Sequence, residues 1–314
     1  MRTLVLALSL GAALGAQESP RPNRLAWLEV FPEPLPDGAR RAALEVTSQF
    51  LRADFEQNPD GRTFARLDGE EWQLTGDLPL HLGRGIFNLR LRVIHRSGGA
   101  SDQLLQSWHR LLGSDSGGRD LAPKGRLDYH LERDGVVVGN LERPGFSAMD
   151  CDLAYLQPWG DPQAGGRLGI SLQFPLGKQE DFSGSGGLDG TLGLATWKTL
   201  GSWRIHGQAE RVFIGLPAAS PYRGVLEHRA FNRAWFGFGY QGRGPGFWKG
   251  LGLDFTLAYT ASPYRVGIPR IDRAGWQQHW TFSHASAPEW RFGFSEEAGT
   301  YVAPDITAFL SRQF

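Results

Sequence analysis

The apolar residues of this chain recur with a period of two in runs of about ten residues, and that spacing leaves few folds open. In RLGISLQF, Leu168, Ile170, Leu172 and Phe174 share a face against Gly169, Ser171 and Gln173. In GLGLDFTLAYT, Leu251, Leu253, Phe255, Leu257 and Tyr259 oppose Gly252, Asp254, Thr256 and Ala258. EWQLTGDLPLHL sets Trp72, Leu74, Leu78, Leu80 and Leu82 against Gln73, Thr75, Asp77 and His81. IFNLRLRV places Phe87, Leu89, Leu91 and Val93 against Asn88, Arg90 and Arg92, and SWRIHGQAE places Trp203 and Ile205 against Arg204, His206, Gln208 and Glu210.

Successive strand residues point to opposite sides, so each run is a strand with one apolar and one polar face. A soluble strand is usually about five or six residues long, whereas a tilted strand crossing a bilayer needs about nine to eleven. The polar faces carry charges and small residues, as a watery interior requires. Inside lipid every backbone N–H and C=O must find a partner, so such strands have to close on themselves. The expected fold is all-β, a transmembrane antiparallel up-and-down barrel. A soluble sandwich would also alternate, but it would not need runs of this length.

Other classes fall away on simple grounds. After residue 16 no apolar run approaches the length of a membrane helix. Lys+Arg and Asp+Glu both number 33, so no strong field draws the chain to nucleic acid. Cys151 is the single cysteine, which excludes an internal disulfide. The opening MRTLVLALSLGAALGA has one basic residue, a short apolar core and small residues at Gly15 and Ala16. It is expected to be a secretory signal peptide cut near Ala16. Residues 17–42 then form an N-terminal periplasmic segment, and 43–314 the barrel.

Fourteen strands are expected within a range of 12–16, near 43–56, 63–82, 86–96, 126–133, 136–142, 147–156, 167–176, 187–199, 202–214, 230–240, 251–261, 275–284, 289–297 and 304–314. An even count puts both ends on one side. It makes 97–125, 177–186, 215–229 and 262–274 outer loops, and 83–85, 134–135, 200–201 and 285–288 inner turns. One stretch breaks the strand period. SDQLLQSWHRLLG has Leu104, Leu105, Trp108, Leu111 and Leu112 at helical spacing, which predicts a short amphipathic helix over 101–112 in an outer loop. Trp72, Trp203, Trp235, Trp276 and Trp290 lie near strand ends, where membrane interfaces favour them.

The chain also resembles a known family. The stretches LDGE (67–70), SWHRLLG followed by GGRD, FPLG followed by SGSGGLD, and FGFSEEAGTYVAPDITAFL (292–310) are similar to domain-of-unknown-function family 3187, a bacterial outer-membrane group without an assigned activity. The resemblance implies the outer membrane of a Gram-negative bacterium, with lipid and the barrel-assembly machinery as partners. It also implies that a terminal aromatic strand, here ending on Phe314, is the signal that machinery reads. It brings no catalytic residues.

For function, the inner faces supply Arg90, Arg92, Asp128, His130, Arg204, His206, Glu210 and Asp254, with Glu132, His279 and Arg291 beside them. Facing charges of both signs can orient a small polar solute and set selectivity. A passive pore or binding barrel without cofactor, metal or covalent chemistry is therefore expected. The same charges could instead pair into a plugged, purely structural barrel. A third class is an outer-membrane lipid hydrolase, with Ser286 as nucleophile, His284 as base and Glu296 or Glu297 orienting the base.

Overall fold

The computed structural model describes residues 31–36, 42–57, 61–98, 107, 125–242, 248–272, 274–297 and 307–314. They form one antiparallel sheet of β1 (Ala43–Gln57), β2 (Thr63–Leu82), β3 (Gly85–Ser97), β4 (Asp128–Arg133), β5 (Val136–Leu141), β6 (Gly145–Ala148), β7 (Cys151–Gly160) and β8 (Ala164–Phe174), continued by β9 (Asp189–Leu200), β10 (Trp203–Phe213), β11 (Ala230–Gln241), β12 (Leu251–Thr260), β13 (Gly275–His284), β14 (Trp290–Glu297) and β15 (Thr307–Gln313). Twelve of these close a ring in the order β2-β1-β15-β14-β13-β12-β11-β10-β9-β8-β7-β3, with β3 pairing back onto β2. The seam between the first and last strands runs from Ala43↔Gln313 to Gln49↔Thr307. Every strand of the ring thus has two neighbours, which removes the open edge that lipid forbids.

The expected fourteen-strand ring is corrected to twelve, although the expected strands nearly all exist. The surplus arises because β2 and β3 are each longer than the ring is tall. Glu70–Leu82 of β2 pairs with β3, while Thr63–Asp68 pairs with β4. Likewise Ile86–Arg90 of β3 pairs with β7, while Val93–Arg96 pairs with β6. So β4, β5 and β6 stack on the overhangs instead of entering the ring. The turn joining β4 to β5 is Asp134-Gly135, both at positive φ (52° and 77°), the two-residue turn whose twist suits a hairpin. The Asp134 amide donates to the Arg62 carbonyl, so this turn sits beside the β1–β2 connection and not among the inner turns. There the hydrogen bond from Arg62 holds the Asp134 carboxyl below its ordinary range.

The other turns sort as expected by length. Residues 83–84, 161–163, 201–202, 242–250 and 285–289 join ring strands at one end, which also holds Ala43 and Gln313. Residues 175–188, 214–229 and 261–274 connect them at the other. The single expected strand 147–156 is two, β6 and β7, because Asp150 leaves the ladder. Its carboxylate accepts the amides of Gly177 and Ser185 at 2.8 and 3.0 Å and ties down the 175–188 connection. Met149 beside Asp150 is buried. Among the described residues helical structure is limited to Ser107 and to single turns at Pro221–Gly224 and Pro269–Asp272, and no helix there is long and apolar enough to cross a membrane. Apart from Ser107, the expected helix over 101–112 lies outside the described residues.

The ring is inside-out relative to a soluble protein. Leu168, Ile170, Leu172 and Phe174 are about half exposed on the outside, while Arg167, Ser171 and Gln173 between them are buried inside. The pattern repeats on β10, where Trp203, Ile205 and Phe213 face out and Arg204, His206, Gln208 and Glu210 face in. A soluble sheet buries its apolar face, so an apolar belt of this extent marks a lipid-facing surface. Trp203 and Trp290 are exposed at the short-turn end, and Trp72 and Trp276 toward the other, in keeping with two interfacial girdles. Trp235 does not join them, being 4% exposed and turned inward. Arg312, outward at the short-turn end, lies 5.1 Å from the rings of both Trp290 and Phe314. Phe309 is the aromatic that breaks the inner face of β15, and Gly293 makes room for it: a Cβ there would sit 2.6 Å from the Phe309 ring.

Candidate functional site in the barrel lumen

Among the described residues a conventional apolar core lies at the long-loop end. Tyr129, Leu131 and Val138 of the β4–β5 hairpin pack with Phe182, Ile214, Leu216, Tyr222, Val225, Tyr264, Val266, Ile268 and Ile271. Gly69 permits the approach, since a Cβ there would lie 2.8 Å from Leu127 and 2.9 Å from Tyr129. The hairpin thereby folds against the mouth and, with the 214–229 and 261–274 connections, caps it. This places Asp128 and His130, expected in the lumen, outside the ring. Asp128 pairs with Arg66 at 2.7 Å and with Arg126, and His130 contacts Asn140 at 3.1 Å and Glu132 at 3.4 Å.

One member of that cap comes from far away in sequence. Phe31 packs 6.0 Å from both Phe231 and Tyr264 and heads the segment FPEPLP, residues 31–36, which runs inside the barrel. Its position corrects the expectation that all of 17–42 lies in the periplasm. The contacts are specific. Glu33 reaches Arg92 at 3.1 Å and Arg90 at 3.5 Å and accepts from Gln73 at 2.9 Å. The Pro32 carbonyl accepts from Arg233 at 2.7 Å and the Pro34 carbonyl from Arg90 at 3.1 Å. The Leu35 amide donates to Glu210 at 2.8 Å. Its side chain, 2% exposed, lies against Gly169 and Gly193, where a Cβ would come within 2.7 Å of Leu35 Cδ1. Two glycines opposite one leucine form a socket, so the wall sequence is shaped to the segment.

The wall does not depend on the segment for its own charge balance. Arg90 keeps Asp77 at 2.9 Å, Arg92 keeps Asp152 at 2.7 Å, and Glu210 keeps Arg233 at 2.9 Å. Gln208 extends this network, accepting from Arg167 at 2.8 Å and donating to Glu210 at 2.6 Å. Burying a charge without a partner is costly. Here the three wall pairs would survive removal of the segment, while Glu33 would return to water.

Nearer the short-turn end the lumen opens into a recess of about 60 Å³. Arg204, Asp254 and Arg291 line it, with Tyr240, Gln241, Thr281 and Ser283. His206 stands one inward position above Arg204 and holds Asp254 at 3.0 Å. Of the eight residues expected in the lumen, then, the structure divides six between two places. Arg90, Arg92 and Glu210 hold the segment, and Arg204, His206 and Asp254 belong to the recess. The pattern of alternation found these side chains but could not find Glu33 or Leu35, since FPEPLP has no strand period. The three prolines at alternate positions, Pro32, Pro34 and Pro36, are the signal of an extended stretch.

A hydrolytic trio is not assembled. His284 Nδ1 and Ser286 Oγ are 2.7 Å apart, exposed in a turn at the short-turn end. Glu296 pairs across from Gln278, six strand positions from His284, about 20 Å away at strand rise. The Glu297 side chain lies outside the described residues. No group of three His, Cys, Asp or Glu among the described residues is placed to hold a metal.

One solved structure agrees with this fold, and others are similar at lower scores. The solved COG4313 outer membrane channel from Pseudomonas putida F1 matches with a TM-score of 0.50 at 13% identity, over 91% of this chain and 98% of that one. The transport unit of the autotransporter AIDA-I from Escherichia coli matches at 0.48 and 10% identity, over 95% and 99%, and the KdgM porin at 0.43 and 9%, over 87% and 99%. At such identities the first of these speaks for the fold alone. No curated protein matches the chain. The family model described as protein of unknown function (DUF3187) matches residues 56–214, from the end of β1 to just beyond β10, and the chain belongs to that family.

Proposed function

We propose that this protein is an outer-membrane channel for small polar solutes, held closed at rest by its own residues 31–36. The observation that carries the reading is the closed ring with charged and hydroxylated side chains inside and Leu, Ile and Phe outside. Such a ring gives a solute a hydrated path that the bilayer denies it. Bacterial export, cleavage near Ala16 and recognition of Phe314 by the assembly machinery are parts of the same proposal. No covalent chemistry is part of the proposal, because His284 and Ser286 do not come together with Glu296.

The plugged segment favours a second reading, a sealed structural barrel. Proteoliposome swelling separates the two. Vesicles containing the protein are expected to swell in isotonic glycine faster than protein-free vesicles, and faster still when residues 31–36 are deleted. No swelling with either form of the folded barrel would overturn the channel and leave the structural reading.

A further inference from the structure

We infer that the groove holding residues 31–36 is a peptide-binding site, and that its ligands are short extended peptides bearing proline, an acidic residue and a leucine. The inference rests on the channel reading and names its solute class. The wall contacts the backbone and the side chains of the segment in turn. Arg233 donates to the Pro32 carbonyl at 2.7 Å and Arg90 to the Pro34 carbonyl at 3.1 Å, while Glu210 accepts the Leu35 amide at 2.8 Å. The side chains are sorted by type. Phe31 lies 6.0 Å from the Phe231 and Tyr264 rings, Glu33 meets Arg92 and Arg90, and Leu35 fills the socket at Gly169 and Gly193. Arg90 and Arg92 come from β3 and Arg233 from β11, five places apart in the ring of twelve, so the segment is held from opposing walls.

The hydrogen-bonding groups of segment and wall match. Proline at 32, 34 and 36 favours an extended backbone and removes every second N–H, so the segment offers more acceptors than donors. The wall supplies donors on arginine. The leucine socket is built at some expense to the sheet, since a glycine inside a strand weakens it, and here Gly169 and Gly193 are paired directly across β8 and β9. None of these contacts uses the covalent link to β1. Arg90–Asp77, Arg92–Asp152 and Glu210–Arg233 keep the wall side chains in place when the segment is gone. A short tether supplies only an effective concentration, on the order of 1 mM. A segment seated about 99% of the time therefore corresponds to a free peptide that binds with a Kd of about 10 µM.

Isothermal titration of the folded barrel in detergent micelles tests this with the capped peptide acetyl-FPEPLP-amide as the probe. The chain lacking residues 31–36 is expected to bind it with a Kd of about 10 µM, and the full-length chain about a hundredfold more weakly, because its own segment occupies the groove. A peptide of reversed order, acetyl-PLPEPF-amide, has the same composition and charge and should bind at least about tenfold more weakly. Peptides carrying Glu33→Gln or Leu35→Ala should each lose about tenfold. In the wall, Gly193→Ala should lose about as much, since the added Cβ takes the place of Leu35 Cδ1. Should the shortened chain fail to fold, the full-length chain carrying Glu33→Ala and Leu35→Ser replaces it and should bind the peptide more tightly than the native chain does. Equal binding by the opened and native chains, equal binding of the two peptide orders, or no binding by a folded, opened chain would overturn the site. Because titration requires no conduction and swelling requires no binding, failure of this site and failure of the channel are told apart.

Discussion

Deleting residues 31–36 is expected to raise the time-averaged conductance of the reconstituted barrel about a hundredfold. The segment is held by the Leu35 side chain in its glycine socket and by Glu33 on two arginines, with three further backbone contacts. Burial of a leucine side chain contributes about 1.5–3 kcal/mol. The Glu33 pairing adds less than its Coulomb energy suggests, because the carboxylate must first be stripped of water. A total near 3 kcal/mol keeps the displaced state below about 1%, so the native protein should open rarely and briefly. Removal makes that state permanent, and the wall pairs Arg90–Asp77, Arg92–Asp152 and Glu210–Arg233 need no rearrangement. Glu33→Ala combined with Leu35→Ser should give an intermediate open fraction in the full-length chain. Conductance unchanged in both variants would show that the cap formed by the β4–β5 hairpin seals the barrel without the segment.

The second large effect falls on stability. Arg96→Met should destabilise the folded barrel by about 3–5 kcal/mol, because it removes the guanidinium from a buried ion pair and leaves a buried carboxylate facing a hydrocarbon. Arg96 donates to Glu71 at 2.7 Å, and the two side chains are 3% and 0% exposed. The same guanidinium reaches the carbonyl of Phe182 at 2.9 Å and that of Asp181, and lies 5.8 Å from the Tyr129 ring. It therefore joins β2, β3, the 175–188 connection and the capping hairpin at one point. Replacing both partners, as in Arg96→Met with Glu71→Leu, should recover most of the loss, since no charge is left buried. Urea unfolding in micelles, followed by tryptophan fluorescence and by the heat-dependent gel shift, measures both. A single variant costing under about 1 kcal/mol would contradict the burial assigned to this pair.

How far the sequence carried these conclusions depended on which physical rule governed each residue. Alternation in RLGISLQF or SWRIHGQAE follows from the pleat alone, so inward and outward residues were readable one by one. Ring membership was not. Whether β4 enters the ring depends on the lengths of β2 and β3 relative to ring height, a long-range pairing that leaves no local mark. The alternation of Asp128 and His130 predicts an inward face, but their strand lies outside the ring. Trp235 shows the opposite limit, an aromatic near a strand end that the period places inside. The recess residues Arg204 and Arg291 are legible as inward charges, but that one recess reaches both depends on the strands between them, which leaves no local mark. Glu33 and Leu35 escaped because an extended segment without partners in a sheet has no period to read.

The central claim, that an apolar exterior faces lipid around a polar lumen, is tested most directly by spin labels placed singly along β8 in a Cys151→Ala background reconstituted into vesicles. Labels at 168, 170, 172 and 174 are expected to be accessible to dissolved oxygen and shielded from a water-soluble nickel complex, with greatest depth near the middle of the strand. Labels at 167, 169, 171 and 173 should be immobilised and shielded from oxygen. Nickel access at 168 through 174 equal to that of an exposed loop would contradict the account, because it would place the apolar belt in water.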